Sequence, residues 1–214
     1  MPTAIEKFCQ TLNDQAPEFG LELRADHIKR LGDYYELLLK WNTRLHLVAP
    51  CSPEEFASRH ILESIFLVNR LRQDSRVVDI GSGAGLPIIP CLIVRRDLRV
   101  TLIESSPKKA VFLREALRLA GPKAGQVTVA RFEEIEAPDS DFVTCRALDR
   151  FQELLPALIQ WTPAESELLL FAGPALRRRI EALIPSAEAY LLPRSNQRFL
   201  IRARKPHEIT KRPF

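Results

Sequence analysis

Three of the eight glycines in this 214-residue chain, Gly81, Gly83 and Gly85, fall within five residues. They follow the apolar run Val77-Val78-Asp79-Ile80 and precede Leu86 and a second apolar stretch. A residue without a Cβ lets the backbone turn sharply and lets a ligand lie against it, so glycines between a strand and a helix read as a nucleotide-binding loop. Two ligand chemistries compete for it. A dinucleotide fingerprint, G-x-G-x-x-G, aims a helix N-terminus at a pyrophosphate. The spacing here is G-x-G-x-G, with Leu86 where the last glycine of that fingerprint would stand. Asp79 is a poor neighbour for pyrophosphate and suits a ligand with a cationic end, such as the amino acid and sulfonium of S-adenosylmethionine. Glu104 sits where a carboxylate can accept from both hydroxyls of a ribose, a feature that both cofactors share. Spacing and charge together favour S-adenosylmethionine.

The elements that must position these residues change along the chain. Residues 1–75 show no convincing strand. Ile28, Leu31, Tyr35, Leu38 and Leu45 follow helical spacing from Ala25 to Leu45. Ser52-Pro53-Glu54-Glu55 reads as the start of another helix, with Ser52 as N-cap, Pro53 at its first position and Glu55 closing a capping box. From Arg76 to Lys205, short β-branched runs alternate with helical stretches. Strands are expected at Arg76–Ile80, Arg99–Glu104, Val127–Ala130, Asp141–Arg146 and Glu167–Phe171. Ser106-Pro107 opens a helix carrying Val111, Leu113, Leu117 and Ala120, which Gly121-Pro122 stops. That alternation predicts a parallel sheet covered on both faces. Ala189–Leu192 and Arg198–Arg204 are too close for a crossover helix and predict an antiparallel hairpin. Residues 206–214 form a basic tail. A helical N-terminal extension is thus expected on an α/β core with a mostly parallel, seven-stranded sheet and an antiparallel C-terminal hairpin, an arrangement that resembles the Rossmann-like fold of class I methyltransferases.

Composition excludes little but narrows the setting. Net charge is 31 − 27 = +4, with the excess in the last third, which permits a nucleic-acid partner without requiring one. Cys9, Cys51, Cys91 and Cys145 are isolated, with no C-x-x-C and no His at ligand spacing, so reduced thiols and no metal are expected. No run approaches the roughly 18 apolar residues of a membrane span, and Glu6 and Lys7 stand where a signal peptide needs an apolar core. A cytoplasmic protein without a membrane partner is expected, and a monomer, since no dimer helix is evident.

The resemblance becomes specific in Trp41-Asn42, in Arg59-His60-Ile61-Leu62-Glu63-Ser64, in Val78 to Pro87 with Ile89-Pro90, and in Cys145-Arg146-Ala147. Together these resemble the RsmG family, formerly glucose-inhibited division protein B, bacterial enzymes that methylate guanine N7 in 16S ribosomal RNA of the small ribosomal subunit. The resemblance runs from about Leu37 to Lys205. It implies that Gly81 and Leu86 line the methionine end of the cofactor, that Phe132 and Glu133 flank the adenine, and that Arg146 faces the site. Arg198 matches a family arginine and, with Arg146, is the candidate for RNA contact. The chain departs from the family at His46, Ile88, Cys145 and Ala172, the last replacing a lysine and removing a positive charge from the pocket rim.

Arg146, Asn42 and His60 are the catalytic candidates. Asn42 and His60 lie on apolar stripes, where a helix-capping Asn and a satisfied core His fit as well. The resemblance makes them residues that close the helical extension over the cofactor. Cys145 could serve as the nucleophile of C5-pyrimidine methylation, but reads better as a small strand residue. Arg177-Arg178-Arg179 reads as a solvated helix face. No D/N-P-P-Y/F motif follows the fourth strand, which disfavours methylation of an exocyclic amine. A nicotinamide-dependent oxidoreductase and an inactive, ribosome-associated scaffold remain as alternatives; Leu86 argues against the first, and Ala172 keeps the second open.

Overall fold

The computed structural model describes residues 2–121 and 125–205; Pro122 and the expected basic tail lie outside them. Seven strands form one sheet: β1 (Arg76–Ile80), β2 (Arg99–Glu104), β3 (Gly125–Val129), β4 (Phe142–Cys145), β5 (Glu167–Ala172), β6 (Glu188–Leu191) and β7 (Phe199–Arg204). Their order is β3-β2-β1-β4-β5-β7-β6. The first five run parallel, β7 is antiparallel to β5, and β6 is antiparallel to β7. Strand ends differ from expectation by one or two residues, and two of these differences matter. Arg146 and Arg198 both fall just outside the ladder. Arg146 follows the last paired residue of β4, and Arg198 precedes β7, its carbonyl accepting from the Leu192 amide at 2.9 Å.

Alternate side chains along the strands feed two cores. Val77, Leu102, Leu169 and Leu200 pack with the N-terminal helices, while Val78, Ile103, Leu168 and Ile201 pack beneath helices on the other face. Burial on both faces explains the unbroken apolar run of β5, which is buried at all six positions. The helices are α1 (Ala4–Gln15), α2 (Ala25–Leu45), α3 over residues 53–70, α4 (Ile88–Val94), α5 (Pro107–Ala120), α6 (Phe151–Trp161) and α7 (Pro174–Leu183). α1 to α5 cover one face and α6 and α7 the other. The N-terminal helices share their core with the sheet, from Phe8 and Leu31 through to Phe171. Val111 of α5 departs from expectation and is half exposed, because the buried stripe runs through Ala110, Leu113, Leu117 and Ala120, one step around the helix.

α3 is irregular. Ser52 Oγ accepts from the Glu55 amide at 3.0 Å, but the Glu55 carboxylate pairs with Arg59 instead of returning to the cap, so only half of the expected box forms. The helix then widens into a π turn over Phe56–Leu62, resumes α geometry at Glu63–Ile65 and tightens into a 3-10 turn over Phe66–Arg70. Such π turns are frequent at functional sites. Among the described residues no helix is long and apolar enough to cross a membrane.

Candidate functional site

The glycine loop joins β1 to α4 beside β4, where the strand order reverses and a crevice opens at the strand C-termini. Gly81 and Ser82 donate their amides to the Ile103 carbonyl at 2.9 and 3.2 Å, and Tyr34 of α2 donates its hydroxyl to the Ala84 carbonyl at 2.6 Å. Sheet and N-terminal helix therefore hold the loop from opposite sides. All three glycines have positive φ, 66°, 49° and 79°. Their surroundings differ. A Cβ on Gly85 would meet Ile89 Cγ1 at 2.5 Å, so Gly85 serves packing and not the ligand, whereas a Cβ on Gly81 would meet only the end of the Leu148 side chain, at 2.8 Å, on the wall of the cavity.

Two adjoining cavities lie over this loop and share Gly81, Ser105, Leu148 and Asp149. The larger, about 430 Å³, is bounded by Leu47 to Ala49, His60, Gly81 to Ala84, Leu86, Glu104 and Arg146. The smaller, about 220 Å³, lies against Phe132 and Glu133. Phe132 is buried, edge-on to Trp161 with ring centroids 5.7 Å apart, and Glu133 pairs with Arg131 at 3.3 Å. Glu104 is buried, with Oε2 accepting from the Gly83 amide and Oε1 from the Ser106 amide, both at 2.8 Å. Each oxygen keeps a lone pair for another donor.

Asp79 revises a sequence expectation. It is fully buried and lines neither cavity, both its oxygens lack a partner, and burial raises its carboxyl well above the ordinary range. The carboxylate expected to face a cation lies buried beneath the loop, where burial favours its protonated form.

Asn42 is revised too. It lies outside the cavity lining; its Nδ2 donates to the Val48 carbonyl at 3.1 Å and its Oδ1 accepts from the Val48 amide at 3.0 Å. It shapes the wall and does not touch the contents. His60 does line the larger cavity, its ring tilted 32° against that of Phe56 with centroids 5.0 Å apart; burial and the neighbouring Arg146 and Arg59 push its pKa down to about 4. Cys145 is fully buried and its thiol is raised well above the usual value, which removes it as a nucleophile. Arg178 and Arg179 of α7 are exposed as expected, but Arg177 is half-buried, lying over the Phe199 ring and donating to Glu181 at 2.7 Å.

The feature that sequence reading missed is Glu63. It is buried, with Oε2 accepting from Arg146 Nη2 at 3.2 Å and Oε1 from Arg198 Nε at 2.7 Å. Arg146 also donates to the Arg59 carbonyl at 2.7 Å and to Ser64 Oγ at 3.3 Å, and lies over the Phe171 ring. Arg198 does not line either cavity and adjoins them only through Glu63.

A mostly parallel seven-stranded sheet with an antiparallel C-terminal hairpin, and a glycine-loop crevice at its switch point, define a class I methyltransferase fold. A ribosomal protein L11 methylase from Lactobacillus delbrueckii subsp. bulgaricus superposes with a TM-score of 0.55 at 15% identity, covering 69% of this chain and 79% of that one, a likeness of fold. The chain belongs to the rRNA small subunit methyltransferase G family, whose model matches residues 27–189. A ribosomal RNA small subunit methyltransferase G of Chromobacterium violaceum is 37% identical over 187 residues, 80% of this chain and 89% of that protein. Its counterpart in Halorhodospira halophila is 31% identical, over 85% of this chain and 88% of its own.

Proposed function

We propose that this chain transfers a methyl group from S-adenosylmethionine to guanine N7 in 16S ribosomal RNA of the small ribosomal subunit, working in the cytoplasm as a monomer. The observation that carries this reading is one crevice that joins the glycine loop and Glu104 to Arg146 and His60. The residues fit the cofactor. Glu104 offers acceptors for ribose hydroxyls, Gly81, Gly83 and Leu86 leave room along the methionine end, and Phe132 and Glu133 bound the adenine end.

When bound, S-adenosylmethionine supplies an electrophilic methyl on a sulfonium. Guanine N7 carries a lone pair and no proton, so its attack requires alignment and not a general base. The site residues suit that demand. His60, with its pKa near 4, is neutral and weakly basic at pH 7, and both Glu63 oxygens are engaged by guanidiniums. Arg146 presents donors that match a guanine edge or a phosphate. Incubation with methyl-labelled S-adenosylmethionine and small subunits tests the reading. Label in 16S RNA is expected; cofactor binding without label in RNA contradicts it.

A further inference from the structure

We propose that Glu63 is a positioning residue for methyl transfer, one buried carboxylate that ties Arg146 to Arg198 and aims Arg146 at the RNA base. The proposal rests on the RNA-methylating reading above and assigns it a part held by no cavity-lining residue.

The geometry is specific. The Glu63 side chain is 2% exposed and the Arg146 side chain 14%. Glu63 follows directly on the π turn of α3, Arg146 on the end of β4, and Arg198 stands just before β7, so three elements meet at one carboxylate. The pairs lie 83 and 135 residues apart in sequence. The same helix gives Arg146 two more acceptors, the Arg59 carbonyl and Ser64 Oγ, and Ser64 in turn donates to the His60 carbonyl. The π turn, His60 and Arg146 therefore belong to one network. Both Nη2 hydrogens of Arg146 are used within it. Its Nε hydrogen and one Nη1 hydrogen have no acceptor among the described residues, and Arg146 lines the cavity, so these are the donors left for substrate.

Stability alone is a weak reason for the arrangement, because apolar residues of similar volume commonly replace a buried ion pair at no loss. One carboxylate against two guanidiniums leaves a net positive charge beside the cavity that Arg146 lines, which suits an RNA substrate. Without Glu63 the buried Arg146 has no counter-ion, and its side chain turns toward water.

The test uses the full chain, with saturating small subunits and methyl-labelled S-adenosylmethionine. Glu63→Gln is expected to lower kcat at least about 30-fold, the low end of the cost of truncating one member of a buried, hydrogen-bonded charge pair. Its calorimetric affinity for S-adenosylmethionine is expected to stay unchanged. Adding Glu63→Gln to Arg146→Lys should lower kcat by no more than about twofold further, the scatter expected where nothing more is lost. Glu63→Asp, which keeps the charge and shortens the reach, guards against misfolding and should lose about tenfold, one charge-assisted hydrogen bond. Full activity of Glu63→Asp, or losses that multiply in the double variant, overturn the proposal. A wild-type chain that labels no RNA contradicts instead the underlying reading.

Discussion

Gly85 and Gly83 share a loop and a positive φ but differ in what surrounds them, and this difference predicts two separate losses. A Cβ on Gly83 would meet nothing closer than the Gly81 carbonyl at 3.6 Å, so Gly83→Ala bears only the cost of a left-handed backbone, about 1–2 kcal/mol. Part of that is offset by the lower entropy of the unfolded chain, about 0.4–1 kcal/mol. In Gly85→Ala the same backbone cost is joined by overpacking, since the new methyl lies 2.5 Å from Ile89 Cγ1, 3.3 Å from Ile89 Cβ and 3.4 Å from Leu113 Cδ2. Rotation could move Cγ1, but Cβ is fixed to α4. Overpacking costs about 1–3 kcal/mol, so Gly85→Ala loses about 2–4 kcal/mol in total against about 1 for Gly83→Ala. At about 2–4 °C per kcal/mol for a chain of this size, the melting shifts are roughly 5–15 °C and 2–4 °C. Urea unfolding with an unchanged slope gives the same ranking through the midpoints. Equal losses for the two variants would refute the division of the loop into a packing glycine and a purely conformational one.

Three further outcomes follow from named contacts. Arg146→Ala should bind S-adenosylmethionine within a few-fold of wild type by calorimetry while transfer to RNA is abolished; retained transfer removes Arg146 from the mechanism. Asn42→Ala deletes both bonds to Val48, worth about 1 kcal/mol each, and loosens the Leu47–Ala49 wall. S-adenosylmethionine affinity should fall about tenfold with kcat at saturation kept, and an unchanged affinity contradicts the role given to Asn42. Glu167 is buried between Arg202 and Arg204, whose bonds hold its pKa near 2. A depressed folded-state pKa contributes stability that is present above the ordinary glutamate value, about 4.3, and is lost as pH falls toward 2. Glu167→Gln should therefore be less stable at pH 7 and show a shallower loss of its urea midpoint on acidification; parallel pH profiles would contradict the pairing.

Local signals carried much of this molecule. The β-branched runs that end at Ile80 and Glu104, the cap at Ser52, and the short polar stretch between the last two strands each depend on neighbours in sequence, and each is found. Elements set by distant partners were not legible. Glu63 looks like any polar residue of an amphipathic helix until Arg146 and Arg198 arrive from 83 and 135 residues away. The π turn has no residue type of its own; it is visible only as a change in bonding along an otherwise regular helical pattern. The charge of Asp79 suggests a ligand contact, yet the side chain is fully buried, and burial pushes its carboxyl well above the ordinary range. His46 shows the limit at single positions. It closes α2 with φ 46°, a conformation more natural to Gly or Asn, and only the helix end seen in three dimensions explains the demand.

The central claim is that the crevice over the glycine loop aligns a guanine N7 of small-subunit RNA with the methyl donor. It is tested most directly by treating small subunits that lack N7 methylation with the protein and S-adenosylmethionine, followed by borohydride reduction and aniline cleavage of the extracted 16S RNA. A single new cleavage site is the result expected. Methyl incorporation without any cleavage would place the methyl on another atom and contradict the account.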